Sequence, residues 1–314
     1  MTRVGAIDCG TNSIRLLIAD VDPSSGSLTD LLRRMEVVRL GHGVDKSGVI
    51  APEAMARTLA QAREYASQCV ELDVERVRFV ATSASRDASN AQDFVAGVRQ
   101  AFAAFGVAPE VITGHEEASL SFRGATGDLR ADGIPGPYLV VDLGGGSTEF
   151  VRGTDDVEQA RSVDVGCVRM TERHLLSDPP TPSQIAAATA DIEAAIDQAT
   201  EVVGFKGISA LVGVAGTITT VAAHALQLST YDASRIHLSR LPAAQIIDAC
   251  TSLLSMTRAE RAALGFMHEG RADVIGAGGL VWRTIIQRLQ RDADITTVVT
   301  SEHDILDGIA LSIA

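Results

Sequence analysis

Two segments far apart in this 314-residue chain share one order: an apolar run ending in aspartate, a turn of glycine and hydroxyl residues, and a second apolar run. Residues 4–20 read VGAIDCGTNSIRLLIAD, and residues 138–152 read YLVVDLGGGSTEFVR. Short apolar runs flanking a glycine turn predict β-hairpins. A hairpin that recurs at an offset of about one domain length predicts two similar halves. The length suits two domains better than one, and 46% hydrophobic residues suffice to fill their cores.

Between the hairpins, the spacing of Met55, Leu59, Ala62, Ala66 and Cys69 predicts a helix over 52–69, followed by a strand from Arg76. A helix over 91–105 and a strand from Pro109, delivering Glu116 and Glu117, come next. GDLRADGIPGPY, residues 127–138, is rich in Gly, Pro and Asp and is the expected crossing between halves. Ser183 is the expected cap of a helix reaching about Val203. ALVGVAGT then reads as strand, turn and helix. Helices over 242–256 and 271–289, the strand ITTVVTS and a helix over 303–313 complete an alternating pattern, so the class is α/β.

A glycine turn after a strand lets backbone N–H groups converge on an anion, and neighbouring hydroxyls add donors. Gly144, Gly145, Gly146, Ser147 and Thr148 offer this in the second hairpin, and Gly10, Thr11, Asn12 and Ser13 in the first. One such turn is common in ordinary hairpins, whereas two, each preceded by a strand-terminal aspartate, point to phosphate. A third turn, through Gly216 and Thr217, opens a helix whose N-terminal dipole also favours phosphate. Asp8 and Asp142 end their strands, and Glu149 lies on the returning strand. Carboxylates beside phosphate call for a cation, and Mg²⁺ suits their hard oxygens; singly, each aspartate is equally well a turn or cap residue. In His115-Glu116-Glu117, one acid is a candidate base for activating water, although adjacent acids also mark solvated helix starts.

The net charge of −13 opposes generic nucleic-acid binding. Cys9, Cys69, Cys167 and Cys250 are scattered without metal-like spacing, which suits a reducing cytoplasm. The N-terminus lacks the order of a signal peptide. Residues 207–231 carry no Asp, Glu, Lys or Arg, but their glycines, threonines and His224 argue for a buried strand, turn and helix rather than a membrane span. Cys9, beside Asp8, is expected to be a buried residue and not a nucleophile.

DCGTNSIRLLI, ATSASRDASN, TGHEEASLSFRGA, VVDLGGGSTEF, VGCVRMTE, GVAGTITT and GRADVI occur in this order and together resemble the exopolyphosphatase/guanosine pentaphosphate phosphohydrolase family over nearly the whole chain. The resemblance implies two actin-like (ribonuclease H-like) domains with mixed sheets, hinged around a central cleft. These would be residues 1–125, completed by the terminal helix 302–314, and residues 126–301. It implies hydrolysis of the terminal phosphate of inorganic polyphosphate, or of the 5′ γ-phosphate of pppGpp, with Mg²⁺ or Mn²⁺. Glu117 then matches the general base, Asp142 and Glu149 the metal and catalytic acids, Asp8 a weaker metal ligand, and Arg86 an arginine at the phosphate. The early end of the chain implies that no helical HD-like domain follows. His303-Asp304 is expected inside the terminal helix and without the further ligands a metal site needs. Leu306 stands where relatives often carry arginine. Shorter polyphosphate chains are therefore the expected substrate, a homodimer is left open, and neither nucleic acid nor membrane is an expected partner.

Overall fold

The first apolar run forms β1 (Thr2–Cys9), and the chain reverses into β2 (Ser13–Val21) and again into β3 (Leu28–Val37), all antiparallel. The structure is a computed structural model in which residues 1–313 are described. The chain divides into two compact units, Met1–Gly124 with Ile305–Ala314, and Ala125–Asp304.

In the first unit the three-stranded meander is followed by α1 (Val44–Ser47), α2 (Pro52–Glu71), β4 (Arg76–Ala81), α3 (Ser83–Asp87), α4 (Ala91–Ala101), β5 (Glu110–Val111) and α5 (Gly114–Ala131). The sheet order is β3-β2-β1-β4-β5, with β4 parallel to both its neighbours. The central strands are covered on both faces, which is why β1 reads as a continuous apolar run instead of alternating. Ile7, Cys9, Ile14, Leu16, Ile18 and Phe79 pack in one core with α2 and α4. Val4, Ala6, Leu17, Ala19 and Val80 pack in another with Leu120 of α5 and Ile305, Leu306 and Ile309 of α13 (Ile305–Ser312).

The second unit repeats this plan. β6 (Tyr138–Leu143), β7 (Thr148–Gly153) and β8 (Val157–Val163) form a second antiparallel meander. There follow α6 (Cys167–Arg173), α7 (Pro182–Thr200), β9 (Ala210–Val214), α8 (Gly216–Ala225), α9 (Ala233–Ile236), β10 (Ser239–Pro242), α10 (Ala243–Ser255), α11 (Arg258–Ala262), α12 (Ile275–Ala293) and β11 (Thr297–Thr300). The order β10-β11-β9-β6-β7-β8 places β9 parallel to β6 and β11, so β6 occupies the place that β1 has in the first sheet. Both sheets are mixed and the class is α/β.

Several local expectations change. β3 and β8 are not visible in the sequence pattern because they are edge strands, half-exposed and charged on both faces. Glu116 and Glu117 lie in the first turn of α5, not at a strand end. That helix takes in residues 127–131 of the expected crossing, and the boundary between units falls within it. The cap of α7 is Thr181, whose hydroxyl accepts the Gln184 amide in a capping box; Pro182 occupies the first helical position and places Ser183 inside. Arg271 closes a short 3-10 turn ahead of α12. His303 and Asp304 precede α13 instead of lying in it. Residues 207–231 hold β9 and α8, and no helix among the described residues is long and apolar enough to cross a membrane.

The approach of α13 to α5 depends on Gly308, where a Cβ would overlap the carbonyl oxygen of Leu120. Asp307 beside it is buried and takes the Arg33 guanidinium of β3 at 2.5 Å. Gly308→Ala is expected to cost about 3 kcal/mol, the upper end for overpacking, because backbone rather than a flexible side chain must move. Gly127→Ala, in α5 and with nothing within 4 Å of the new Cβ, is expected to be stabilising by about 0.5–1 kcal/mol. Chemical denaturation of both variants checks the contrast.

Candidate active site

The two hairpin turns are built alike. Gly10 N–H donates to Ser13 O at 2.9 Å, and Gly144 N–H to Ser147 O at 3.0 Å. In each turn the carbonyls are taken by the chain that follows the third strand. Thr11 O accepts from Gly41, and Asn12 O from Val38 and Arg39; Gly144 O accepts from Cys167, and Gly145 O from Val168 and Arg169. The Arg169 guanidinium covers Gly146 O at 2.7 Å. With their carbonyls so engaged, Gly145 and Gly146 donate no described backbone hydrogen bond, and their N–H groups remain for an anion. Thr11 Oγ1 is 2.8 Å from Ser83 Oγ, and Thr148 Oγ1 donates to Val165 O at 2.6 Å, so these two hydroxyls brace their turns.

The acids at the strand ends differ between units. In the β1–β2 ladder Asp8 faces Arg15, and the guanidinium contacts the carboxylate at 2.6 Å. In the β6–β7 ladder the same place holds Asp142 facing Glu149. Both carboxylates are buried, at 6% and 1% exposure, and Ser162 donates to Glu149 Oε1 at 2.7 Å. Two buried like charges directly across a ladder are unfavourable unless a cation joins them. Asp142 and Glu149 are thus a candidate position for a cation, whereas Asp8 is paired with Arg15. Arg15 escaped the sequence reading; its place seven residues after Asp8, matching Glu149 after Asp142, was the available signal.

The third turn belongs to the second unit, because Val214 pairs with Asp142 in register. Ala215 sits at φ 73°, a left-handed strain for a residue with a side chain. A Cβ on Gly216 would overlap the guanidinium of Arg271, whose Nη1 donates to Gly216 O and Thr220 Oγ1, both at 3.2 Å. Thr217 hydrogen-bonds the thiol of Cys167, and the Cys167 amide in turn holds Gly144 O, so the two turns share one brace. Arg271, the arginine of the GRADVI motif, has no role legible in the sequence, since nothing local shows which loop it meets.

In the first unit, α5 separates the adjacent acids. Glu116 pairs with Arg78 at 2.6 Å on the surface, whereas Glu117 is buried and meets Arg86 Nη1 at 2.7 Å. Arg86 also donates to Ile112 O at 2.9 Å, which locks the guanidinium against the carboxylate. Thr82 hydrogen-bonds Glu117 and its amide donates to Cys9 O, joining Glu117 to the end of β1. Burial pushes the Glu117 carboxyl up; Arg86 and Thr82 pull it back, and nearby Asp8 adds to the rise. A carboxylate with an elevated proton affinity suits a base that must accept a proton from water near neutral pH. The Cys9 thiol is pushed well up by burial and then by Asp8, which removes it as a nucleophile.

The first unit therefore gathers Asp8, Gly10, Thr11, Asn12, Ser13, Arg86 and Glu117, and the second gathers Asp142, Gly144 to Glu149, Gly216 and Thr217. The sequence model of the Ppx/GppA phosphatase family matches residues 17–313. Exopolyphosphatase 2 of Mycobacterium tuberculosis is 51% identical over 318 aligned positions, covering 100% of this chain and 99% of the relative. The crystal structure of an exopolyphosphatase-like protein superposes with a TM-score of 0.94 at 44% identity, over 99% of this chain and 97% of its own. That of an exopolyphosphatase from Cytophaga hutchinsonii superposes with a TM-score of 0.84 at 26% identity, over 98% and 96%.

Proposed function

The chain belongs to the Ppx/GppA phosphatase family, and on that premise we propose that it is an exopolyphosphatase, releasing orthophosphate from the end of inorganic polyphosphate. The observation that carries the reading is Glu117, a buried carboxylate clamped by Arg86 in the unit that also holds the Gly10–Ser13 turn. Its relative in Mycobacterium tuberculosis bears the name of that activity.

In this reading, the turns hold phosphate oxygens through their N–H groups, and Arg86 adds charge at the oxygens where charge builds up. Water attacks the terminal phosphorus, and Glu117 accepts its proton. The bond from phosphorus to the bridging oxygen breaks, and a chain one phosphate shorter leaves. Asp142 and Glu149 fit Mg²⁺ or Mn²⁺, being facing, buried oxygen donors, and the bound ion would supply positive charge against the phosphate oxygens.

Phosphate release from polyphosphate, pppGpp, ATP and ADP, with and without Mg²⁺, tests the proposal. Polyphosphate is expected to be turned over fastest and only with the metal; faster release from pppGpp would replace the substrate. Asp142→Asn and Glu149→Gln are each expected to raise the Mg²⁺ concentration for half-maximal activity by about tenfold or more. Titration of activity with Mg²⁺ reads this directly, and an unchanged midpoint would remove the two acids from the metal role.

A further inference from the structure

Three side chains of the second unit, none of them in the phosphate turns, converge. Asp128 lies near the end of α5, His237 directly follows α9, and His303 comes three residues after β11. His303 Nδ1 is 2.6 Å from Asp128 Oδ2, and His237 Nε2 is 3.4 Å from the same oxygen. The two imidazole centroids are 4.5 Å apart. One ligand atom from each residue lies within 4.8 Å of the other two, and all three residues are half-buried.

We propose that Asp128, His237 and His303 form a site for a divalent transition-metal ion of the zinc, cobalt or nickel type, separate from the Asp142–Glu149 pair. A tetrahedral ion with bonds of about 2.0–2.2 Å holds its ligand atoms about 3.3 Å apart. The separations of 2.6 and 3.4 Å lie on either side of that value, so small side-chain movements admit the ion. Two imidazoles and one carboxylate form a nitrogen-rich set that favours such ions over Mg²⁺, which prefers oxygen. Three protein ligands leave a fourth position for water.

The second coordination sphere sets the expected strength. His237 Nδ1 accepts the Glu302 amide at 3.3 Å, which directs the ring hydrogen of neutral His237 to Nε2, on the side of Asp128. Ligation through Nε2 moves that hydrogen to Nδ1 and gives up the long amide bond. Moderate, micromolar binding is therefore expected, not the very tight binding of a site whose outer partners favour the ligating tautomer. The three ligands come from segments widely spaced in the chain, and Asp128 and His303 lie close in sequence to the two places where the chain passes between units. The ion would tie both ends of the second unit to the segment ahead of β10.

The test uses the full chain, stripped with chelator and titrated calorimetrically with Zn²⁺ in millimolar Mg²⁺, with visible absorption of Co²⁺ as a second readout. One ion per chain is expected, raising the melting temperature of the parent. His303→Ala, His237→Ala and Asp128→Asn are each expected to weaken binding about tenfold or more and to lose the thermal shift, while melting like the parent without metal. Asp128→Asn preserves shape and serves where an alanine variant fails to fold. His174→Ala, which removes another His–Asp pair of this unit, contacting Asp191 at 2.8 Å, is expected to bind as the parent does. Absence of binding by the parent, displacement by millimolar Mg²⁺, or undiminished binding in the Asp128 and His303 variants overturns the proposal.

Discussion

Glu117→Gln is expected to slow phosphate release from polyphosphate by about 10²–10⁴-fold, the usual contribution of a positioned general base. Glutamine keeps the size of the side chain and an oxygen for Arg86, so the substitution removes the proton acceptor and little else. The stability consequence has the opposite tendency. Burial raises the folded-state proton affinity of Glu117 above that of the unfolded chain. The stability it contributes is thus present at low pH, below the unfolded value, and is lost as pH rises through the raised value. At neutral pH the charged form pays for its desolvation, and the neutral amide does not. The melting temperature of Glu117→Gln at neutral pH is accordingly expected not to fall, so a loss of activity cannot be ascribed to unfolding. The same group is expected to set the acid limb of kcat/KM, with its midpoint above the ordinary carboxylate value of 4.5. Arg86 pulls that midpoint down, so Arg86→Gln is expected to move the limb to higher pH as well as to lower the rate. An acid limb unmoved by Arg86→Gln, or near-parental activity in Glu117→Gln, would remove the base assignment.

Gly166→Ala is expected to reduce activity about 100-fold through backbone displacement alone. A Cβ at this position would lie 2.5 Å from the carbonyl carbon and oxygen of Gly145 and 2.7 Å from the amide nitrogen of Gly146. Neither can rotate away, since both belong to the turn whose carbonyls are already held by Cys167, Val168 and Arg169. The turn must shift, and misplacement of reacting groups by about 1 Å costs on the order of 100-fold. Kinetics under saturating Mg²⁺ separate this from a metal effect: the loss is expected to persist at every Mg²⁺ concentration, whereas recovery at high Mg²⁺ would place the damage at Asp142 and Glu149.

The paired hairpins were legible because their signals are local: short apolar runs, a terminal aspartate and a glycine turn lie within a few residues of one another. The same holds for the α/β alternation and for the motifs that identify the family. β3 and β8 were not legible, since an edge strand with charges on both faces has no apolar period to read. α5 was hidden because Gly114, Gly127 and the GDLRADG stretch look like loop residues, although burial of Ala118, Leu120 and Phe122 holds the segment helical.

By itself, the sequence determined that two phosphate-type turns, each with an aspartate before it, occur in corresponding places, and that Glu117 is a candidate base. Tertiary structure decided which residues face these acids. Asp8 and Asp142 end similar runs, yet the residue that sheet register sets across from them is Arg15 for one and Glu149 for the other. It likewise decided that Glu117 rather than Glu116 is withdrawn from water, that Arg271 closes over Gly216, and that His303 meets Asp128 and His237. The reason is physical: burial and charge balance depend on neighbours brought together by sheet register and helix packing, and flanking sequence records those neighbours only where, as with Arg15 and Glu149, they lie within the same hairpin.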